Sequence, residues 1–224
     1  MSRVLILVEG STERAIVDQV FTPALAVNGV YLHPKVVGKP GHKGGNKFET
    51  VRRDLRNLLL QEPTSTVTML FDYYGLSDDW PGKTKANGKN PIEAPKIVEQ
   101  AIASAVQADF DNSQNPTRFI PYIQMHEIEA LLFAGPKEMA QVFDNPGLAA
   151  RFEKIVRDCG GCENINDKPD TAPSKRIQKL YPAYKKGSGV NAHAWQIAEH
   201  IGVQSIRQQC PHFDEWMTKL EQLR

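Results

Sequence analysis

Arg3-Val4-Leu5-Ile6-Leu7-Val8-Glu9-Gly10-Ser11-Thr12-Glu13 is the stretch on which the fold turns. Val4–Val8 is apolar throughout and rich in β-branched residues, which suits a central parallel strand buried on both faces. The run ends in Glu9, and Gly10 turns the chain. Ser11 or Thr12 can cap a helix that carries Glu13 in its first turn, near the positive end of the dipole. The stretch thus predicts one carboxylate at the carboxyl end of a buried strand and a second at the start of the next helix.

Working outward, the helix is expected to run to about Val27 with a bend at Pro23, and Asn28-Gly29 stops it. Val30–Val37 reads as a second strand. Gly38–Lys47 is a glycine-rich basic loop before an amphipathic helix at Phe48–Gln61. Val67–Phe71 is a third strand, ending in Asp72-Tyr73-Tyr74-Gly75. Ser77–Pro91 is a polar loop, Ile92–Phe110 a helix and Phe119–Met125 a fourth strand. His126-Glu127-Ile128-Glu129-Ala130-Leu131-Leu132-Phe133 opens a helix directly at its end. Strands alternating with helices predict an α/β core over residues 1–135, a mainly parallel four-stranded sheet flanked by helices. After Gly135 the pattern is helical, which predicts an α-helical C-terminal region over 136–224, packed on or beside the core.

The chain has 224 residues, 41% of them apolar and 24% charged, as in an ordinary soluble globular protein. A net charge of +1 excludes a strongly polybasic protein, but not a basic face beside an acidic site. Three cysteines suggest no disulfide framework. No apolar stretch approaches the roughly 20 residues of a membrane span. A cytoplasmic protein without a membrane association is the expectation.

Ligands of parallel α/β sheets collect outside the carboxyl ends of the strands. Here three strand ends bring acids: Glu9 with Glu13, Asp72, and Glu127 with Glu129. Hard cations such as Mg²⁺ or Mn²⁺ take oxygen ligands, and one or two carboxylates with waters and substrate phosphates suffice. Such an ion polarises a phosphoryl oxygen and activates water. A single acid after a strand is as readily a helix cap, but three strands sharing the pattern point to one site. Glu127 and Glu129 are not expected to face the same way on a helix, so one of them completes the site or serves as base.

Basic groups supply the complement. Lys39, His42, Lys43 and Lys47 lie in the glycine-rich loop, with Arg52 and Arg53 just beyond. They are candidates for phosphate contacts on nucleic acid, DNA or RNA, against the alternative of a solvated loop. Lys175 in Ser174-Lys175-Arg176 is the preferred lysine for charge on a phosphoryl transition state. Lys185-Lys186 is a further phosphate candidate, with Tyr181 and Tyr184 near for stacking on bases. A charged helix face is the commoner reading of such runs. Gly82-Lys83-Thr84 lacks the strand and first glycine of a P-loop, and His126-Glu127 lacks the second histidine of a zinc protease. Cys159, Cys162, Cys210 and His212 carry the donors of a Cys₃His zinc site, with free buried thiols as the default.

Val8-Glu9-Gly10-Ser11-Thr12-Glu13 resembles the first motif of TOPRIM domains, the fold of bacterial-type primases, topoisomerases and overcoming-lysogenization-defect nucleases. The resemblance implies a TOPRIM/Rossmann-like sheet and metal binding by Glu9 and Glu13. The second motif of those domains, Asp-x-Asp, reads here Asp72-Tyr73-Tyr74. Only the first aspartate is present, and Asp78 or Asp79 would have to replace the second. His126-Glu127-Ile128-Glu129-Ala130, Thr171-Ala172-Pro173-Ser174-Lys175-Arg176 and Cys210-Pro211-His212-Phe213 resemble a prokaryotic TOPRIM-like family of unknown function. That resemblance implies a defence-associated partner of an ATPase, acting against phage. The combined expectation is a Mg²⁺-dependent nuclease with Glu9, Asp72, Glu127 and Lys175 catalytic. Glu9, Glu13, Asp72 and Glu129 would hold metal, and Lys39, Lys43, Arg52 and Lys185 would hold phosphate. The alternative is a non-catalytic nucleic-acid-binding or effector subunit of an ATPase-containing complex. A homo-oligomer is compatible with either.

Overall fold

The structure, a computed structural model, describes residues 1–38, 47–110, 118–165, 170–190 and 192–223. The opening stretch forms the central strand β1, Ser2–Val8. Its side chains alternate between two cores, as the period of a strand requires. Val4, Ile6 and Val8 enter one core and Leu5 and Leu7 the other. β2 (Val30–Val36) and β3 (Thr66–Asp72) pair with β1 in parallel, one on each side. β2 tolerates Pro34 because it is the edge strand. The sheet runs β2-β1-β3-β4, with β4 at Phe119–Ile120, and β5 at Ile123–Gln124 also pairs with β3. The single expected fourth strand is thus two short pieces on either side of Pro121, which has no N–H for a ladder.

Between β1 and β2 the chain is helical from α1 (Ser11–Ile16) through a wider π-turn at Val17–Phe21 to α2 (Thr22–Ala26). The irregularity falls just before Pro23, where a ring without an N–H disturbs the ladder. Helices α3 (Phe48–Gln61), α4 (Lys83–Ala86) and α5 (Glu93–Gln107) follow. α3 and α5 cover the sheet face of Leu5, Leu7 and Met69. The expected loop at Ser77–Pro91 therefore contains a helical turn. It is anchored by Trp80, whose ring packs on Phe48 and Phe71. Gly82 initiates α4 at φ +80°, and a Cβ there would stand 2.8 Å from the Ile97 carbonyl oxygen on α5. Gly82→Ala is expected to cost about 2–3 kcal/mol, from backbone strain plus overpacking, as measured by the urea midpoint. Lys83 places its Nζ 3.1 Å from the Tyr73 carbonyl oxygen and over the Tyr73 ring.

The C-terminal half is helical: α6 (Pro136–Val142), α7 (Ala149–Cys159), α8 (Pro173–Leu180), α9 (His193–Ile201), α10 (Val203–Gln209) and α11 (Pro211–Glu221). These helices share the core of Val4, Ile6 and Val8 with α1 and α2, so they close the second face of the sheet. α11 is fastened there by Trp216. Its ring stacks on Tyr122 at 4.4 Å, and its Nε1 donates to Thr68 Oγ1 on β3 at 3.0 Å. Glu163 accepts the backbone N–H groups of His212 and Phe213 in the first turn of α11. Removing that cap with Glu163→Ala is expected to cost about 1–2 kcal/mol in a thermal melt.

Candidate functional site

The carboxyl ends of β1 and β3 open into a cleft of about 900 Å³. Glu9, Glu13, Asp72, Glu127 and Lys186 line it, with Lys47 and Thr50 at the start of α3 on the opposite side. Glu9 leaves β1 and accepts the backbone N–H of Asp72, tying the ends of the two strands together. Gly75 lies against this carboxylate, and a Cβ there would come 3.2 Å from Glu9 Oε1.

Gly10 is extended, at φ −153° and ψ −165°, so the chain does not need glycine's left-handed freedom there. What glycine provides is room, because a Cβ would meet Glu13 Oε2 at 3.2 Å. The cap of α1 also differs from expectation. Gly10 is the N-cap, and Glu13 reaches back to accept its N–H as in half of a capping box. Thr12 does not cap. Its Oγ1 accepts the Gly187 N–H at 2.9 Å and so holds the segment that carries Lys186.

His126, after β5, adopts φ 66°, a conformation uncommon for a residue with a side chain. Glu127 follows in extended backbone, at φ −128° and ψ 155°, before a 3₁₀ helix at Ile128–Ala134. Because Glu127 is not helical, the expectation that only one of the two glutamates points inward fails. Both reach Lys186, Glu129 at 2.9 Å and Glu127 at 3.5 Å. Their roles nevertheless differ. Glu127 accepts the Ser174 N–H at 2.8 Å and the Ser174 hydroxyl at 3.0 Å, at the start of α8. Glu129, 1% exposed, accepts the Tyr184 hydroxyl at 3.2 Å through Oε1. Its Oε2 is buried with no hydrogen-bond partner among the described residues, and so is Oδ1 of Asp72.

The electrostatics follow from burial and crowding. Desolvation raises the carboxyl pKa of Glu9, Glu13, Asp72 and Glu129, Asp72 most clearly, and the neighbouring acids add to the rise. Lys186 opposes it. Burial alone would lower the lysine, but Glu129 and Glu127 outweigh that and hold it charged. A group whose pKa is raised on folding stabilises the fold below the ordinary carboxylate range and loses that contribution as pH rises through its folded value. The melting temperature of metal-free protein is therefore expected to fall as pH rises above the ordinary carboxylate range, as read by calorimetric scans across buffers. Asp79 and Glu215, which are lowered, act in the opposite sense at lower pH.

The other expected residues lie elsewhere. Lys175 is exposed on α8 with its Nζ 3.4 Å from Gln178, so the lysine at the acids is Lys186 instead. Arg52 is spent on Asp109. Lys185 and Tyr181 line a separate depression, and Tyr184 is buried beneath Glu129 instead of being open for stacking. Asp79 accepts the Phe48 N–H at the start of α3 and is not among the residues that line the cleft, whereas Tyr74 is. Lys39, His42 and Lys43 lie outside the described residues. Cys159, Cys162 and Cys210 are free, Cys162 and Cys210 are hydrogen-bonded to each other, and His212 Nε2 contacts Glu99 at 2.8 Å. Among the described residues, no group of three or more His, Cys, Asp or Glu side chains is assembled to hold a metal ion. No helix of the described residues is long and apolar enough to cross a membrane.

Fold and site together define a parallel α/β protein with a carboxylate-lined cleft at its strand ends and a helical C-terminal half. Residues 8–221 match the family model described as Domain of unknown function (DUF4276), and the chain belongs to that family. No curated protein and no solved structure matches it.

Proposed function

We propose that this protein is a divalent-metal-dependent phosphodiesterase acting on nucleic acid, of the TOPRIM nuclease type. The observation that carries the reading is the convergence of Glu9, Glu13 and Asp72 in one cleft with Glu127 and Lys186, above Glu129. Buried carboxylates that raise one another's pKa are costly without a cation. Lys186 neutralises part of that charge, and the unpartnered Oδ1 of Asp72 and Oε2 of Glu129 leave acceptor capacity for more. Mg²⁺ keeps several waters and takes few protein ligands, so a preassembled group of three is not required of it.

Glu9, Glu13 and Asp72 would hold the ion, whose chemistry when bound is Lewis-acid polarisation of a phosphoryl oxygen. Lys186 is positioned by Glu129 and Glu127 to neutralise a non-bridging phosphate oxygen. Lys47, exposed across the cleft, is placed to contact the phosphate chain. Glu127, its oxygens held by Ser174, orients Lys186.

The test is incubation of purified protein with single- and double-stranded DNA and RNA in Mg²⁺ or Mn²⁺. Cleavage by the parent and its loss in Glu9→Gln are expected. If no polymer is cut, or Glu9→Gln cuts as well, the catalytic reading is wrong. A second reading is favoured by Tyr74, which replaces an acid, and by Lys186, which already satisfies part of the site. It is a non-catalytic nucleic-acid-binding or effector subunit of an ATPase-containing complex. That reading is distinguished by the absence of specific metal uptake.

A further inference from the structure

The cleft does not end at the acids. A second depression of about 480 Å³ shares Ser11 and Val36 with it and is lined further by Arg14, Asp18, Gln19 and Trp195. A third, of about 400 Å³, is lined by Tyr181, Lys185 and His193 and shares Val190 with the second. The three hollows therefore adjoin in sequence, from the acidic cleft past the start of α1 to the start of α9.

Their chemistry changes along the way. Trp195 is partly exposed, whereas Trp80 and Trp216, the other two tryptophans, are 2% and 1% exposed. Its Nε1 donates to the Gly189 carbonyl at 3.3 Å, which fixes the orientation of the indole at the depression. The Arg14 side chain is 56% exposed, and its Nε lies 3.5 Å from Asp18 Oδ2, a loose pair. Such surface pairs contribute little, so exchanging Asp18 for a phosphate costs little. Lys185 supplies an exposed ammonium in the third hollow.

We propose that the three depressions form one track for a single-stranded nucleic acid, with a base stacked on Trp195 and flanking phosphates on Arg14 and Lys185. This rests on the nucleic-acid reading above and specifies the form of the polymer. A base paired in a duplex is stacked on its neighbours and has no free face for an indole, whereas an unpaired base does. Alternating aromatic and basic groups in a groove are the means by which single strands are held without regard to sequence.

The experiment is titration of Glu9→Gln protein, in Mg²⁺, with a homothymidine strand of about 12 nucleotides. The same strand annealed to homoadenosine and a homouridine strand serve as further probes. Tryptophan fluorescence reports contact, since the other two rings are buried. Quenching by an unpaired strand and none by the duplex is expected. Trp195→Leu should weaken binding about tenfold and abolish the quench, and Trp195→Phe should restore most of the affinity. Arg14→Ala, which alters only an exposed side chain, should weaken binding and reduce the salt slope by about one. Circular dichroism melts establish that each variant is folded. Equal quenching by the duplex, no quenching by any strand, or unchanged affinity in both Trp195→Leu and Arg14→Ala overturns the track. Quenching without cleavage by the parent protein leaves the track standing and removes the catalytic reading. Cleavage of a single strand with Trp195 silent removes the track alone.

Discussion

Asp72→Asn is expected to abolish divalent-metal uptake and cleavage while raising the melting temperature of the metal-free protein. The two effects have one cause. Asp72 ends β3 with a buried, unpartnered Oδ1, and its carboxyl is raised first by burial and then by Glu13, Glu9 and Glu129. An amide keeps the shape and removes the charge. Relief of repulsion among the acids is worth about 1–2 kcal/mol, the usual scale for neutralising a strained functional site. For a chain of this size that is about 2–4 °C per kcal/mol. The gain should grow as pH rises above the ordinary carboxylate range, because protonation relieves the parent at lower pH. With metal at about 100 times its dissociation constant the order should invert, since the parent gains about 2.7 kcal/mol by linkage and the variant gains nothing. Paired thermal scans with and without Mg²⁺ read both effects. A variant that melts below the parent without metal and matches it with metal would show that Asp72 is a structural acid.

Lys186→Met should have the next largest effect. Glu129 is 1% exposed, and the Lys186 side chain remains 43% exposed, so the pair is buried on one side only. Removing the lysine leaves Glu129 and Glu127 without their cation. A fully buried pair broken in this way costs about 3–5 kcal/mol, and solvent at the lysine discounts the figure to about 1–3 kcal/mol at pH 7. The sign with pH is fixed by Glu129. Lys186 lowers its pKa, so without the lysine Glu129 is raised further and the deficit grows as pH climbs above the ordinary carboxylate range. Cleavage should fall by about 100–1000-fold, the scale of one lost electrostatic contact to a developing charge. Adding Glu129→Gln should return much of the stability and none of the activity. Coupling of this kind, measured by a double-mutant cycle in urea, separates a positioning pair from two independent residues.

The fold was legible where period and punctuation agreed. Val4–Val8 read as a two-sided strand and is one, and Phe48–Gln61 read as a helix with the bounds it has. The α/β alternation and the helical second half follow from the same signals. The fourth strand was less legible, because Pro121 divides it into pieces too short to show a period. At the site, Glu9, Glu13 and Asp72 were legible because strand ends converge in a parallel sheet. Lys175 was preferred and Lys186 passed over, because the position of Lys186 depends on contacts distant in sequence. The Gly187 N–H is held by Thr12, and the ammonium is held by two glutamates of the β5 end. The orientation of Glu127 depended on extended backbone after a left-handed His126, which nothing in the composition of that stretch announces. Glu13 illustrates a shared signal, since the Glu-Gly-x-x-Glu spacing that suggests a metal ligand also makes the capping-box contact to Gly10.

The most direct measurement is isothermal calorimetry of Mg²⁺ and Mn²⁺ into the metal-free protein near neutral pH. Saturable uptake, accompanied by proton release in buffers of different ionisation enthalpy and lost in Asp72→Asn, is the expected result. No saturable uptake by the parent, or uptake unchanged in Asp72→Asn, would contradict a metal site built on the ends of β1 and β3.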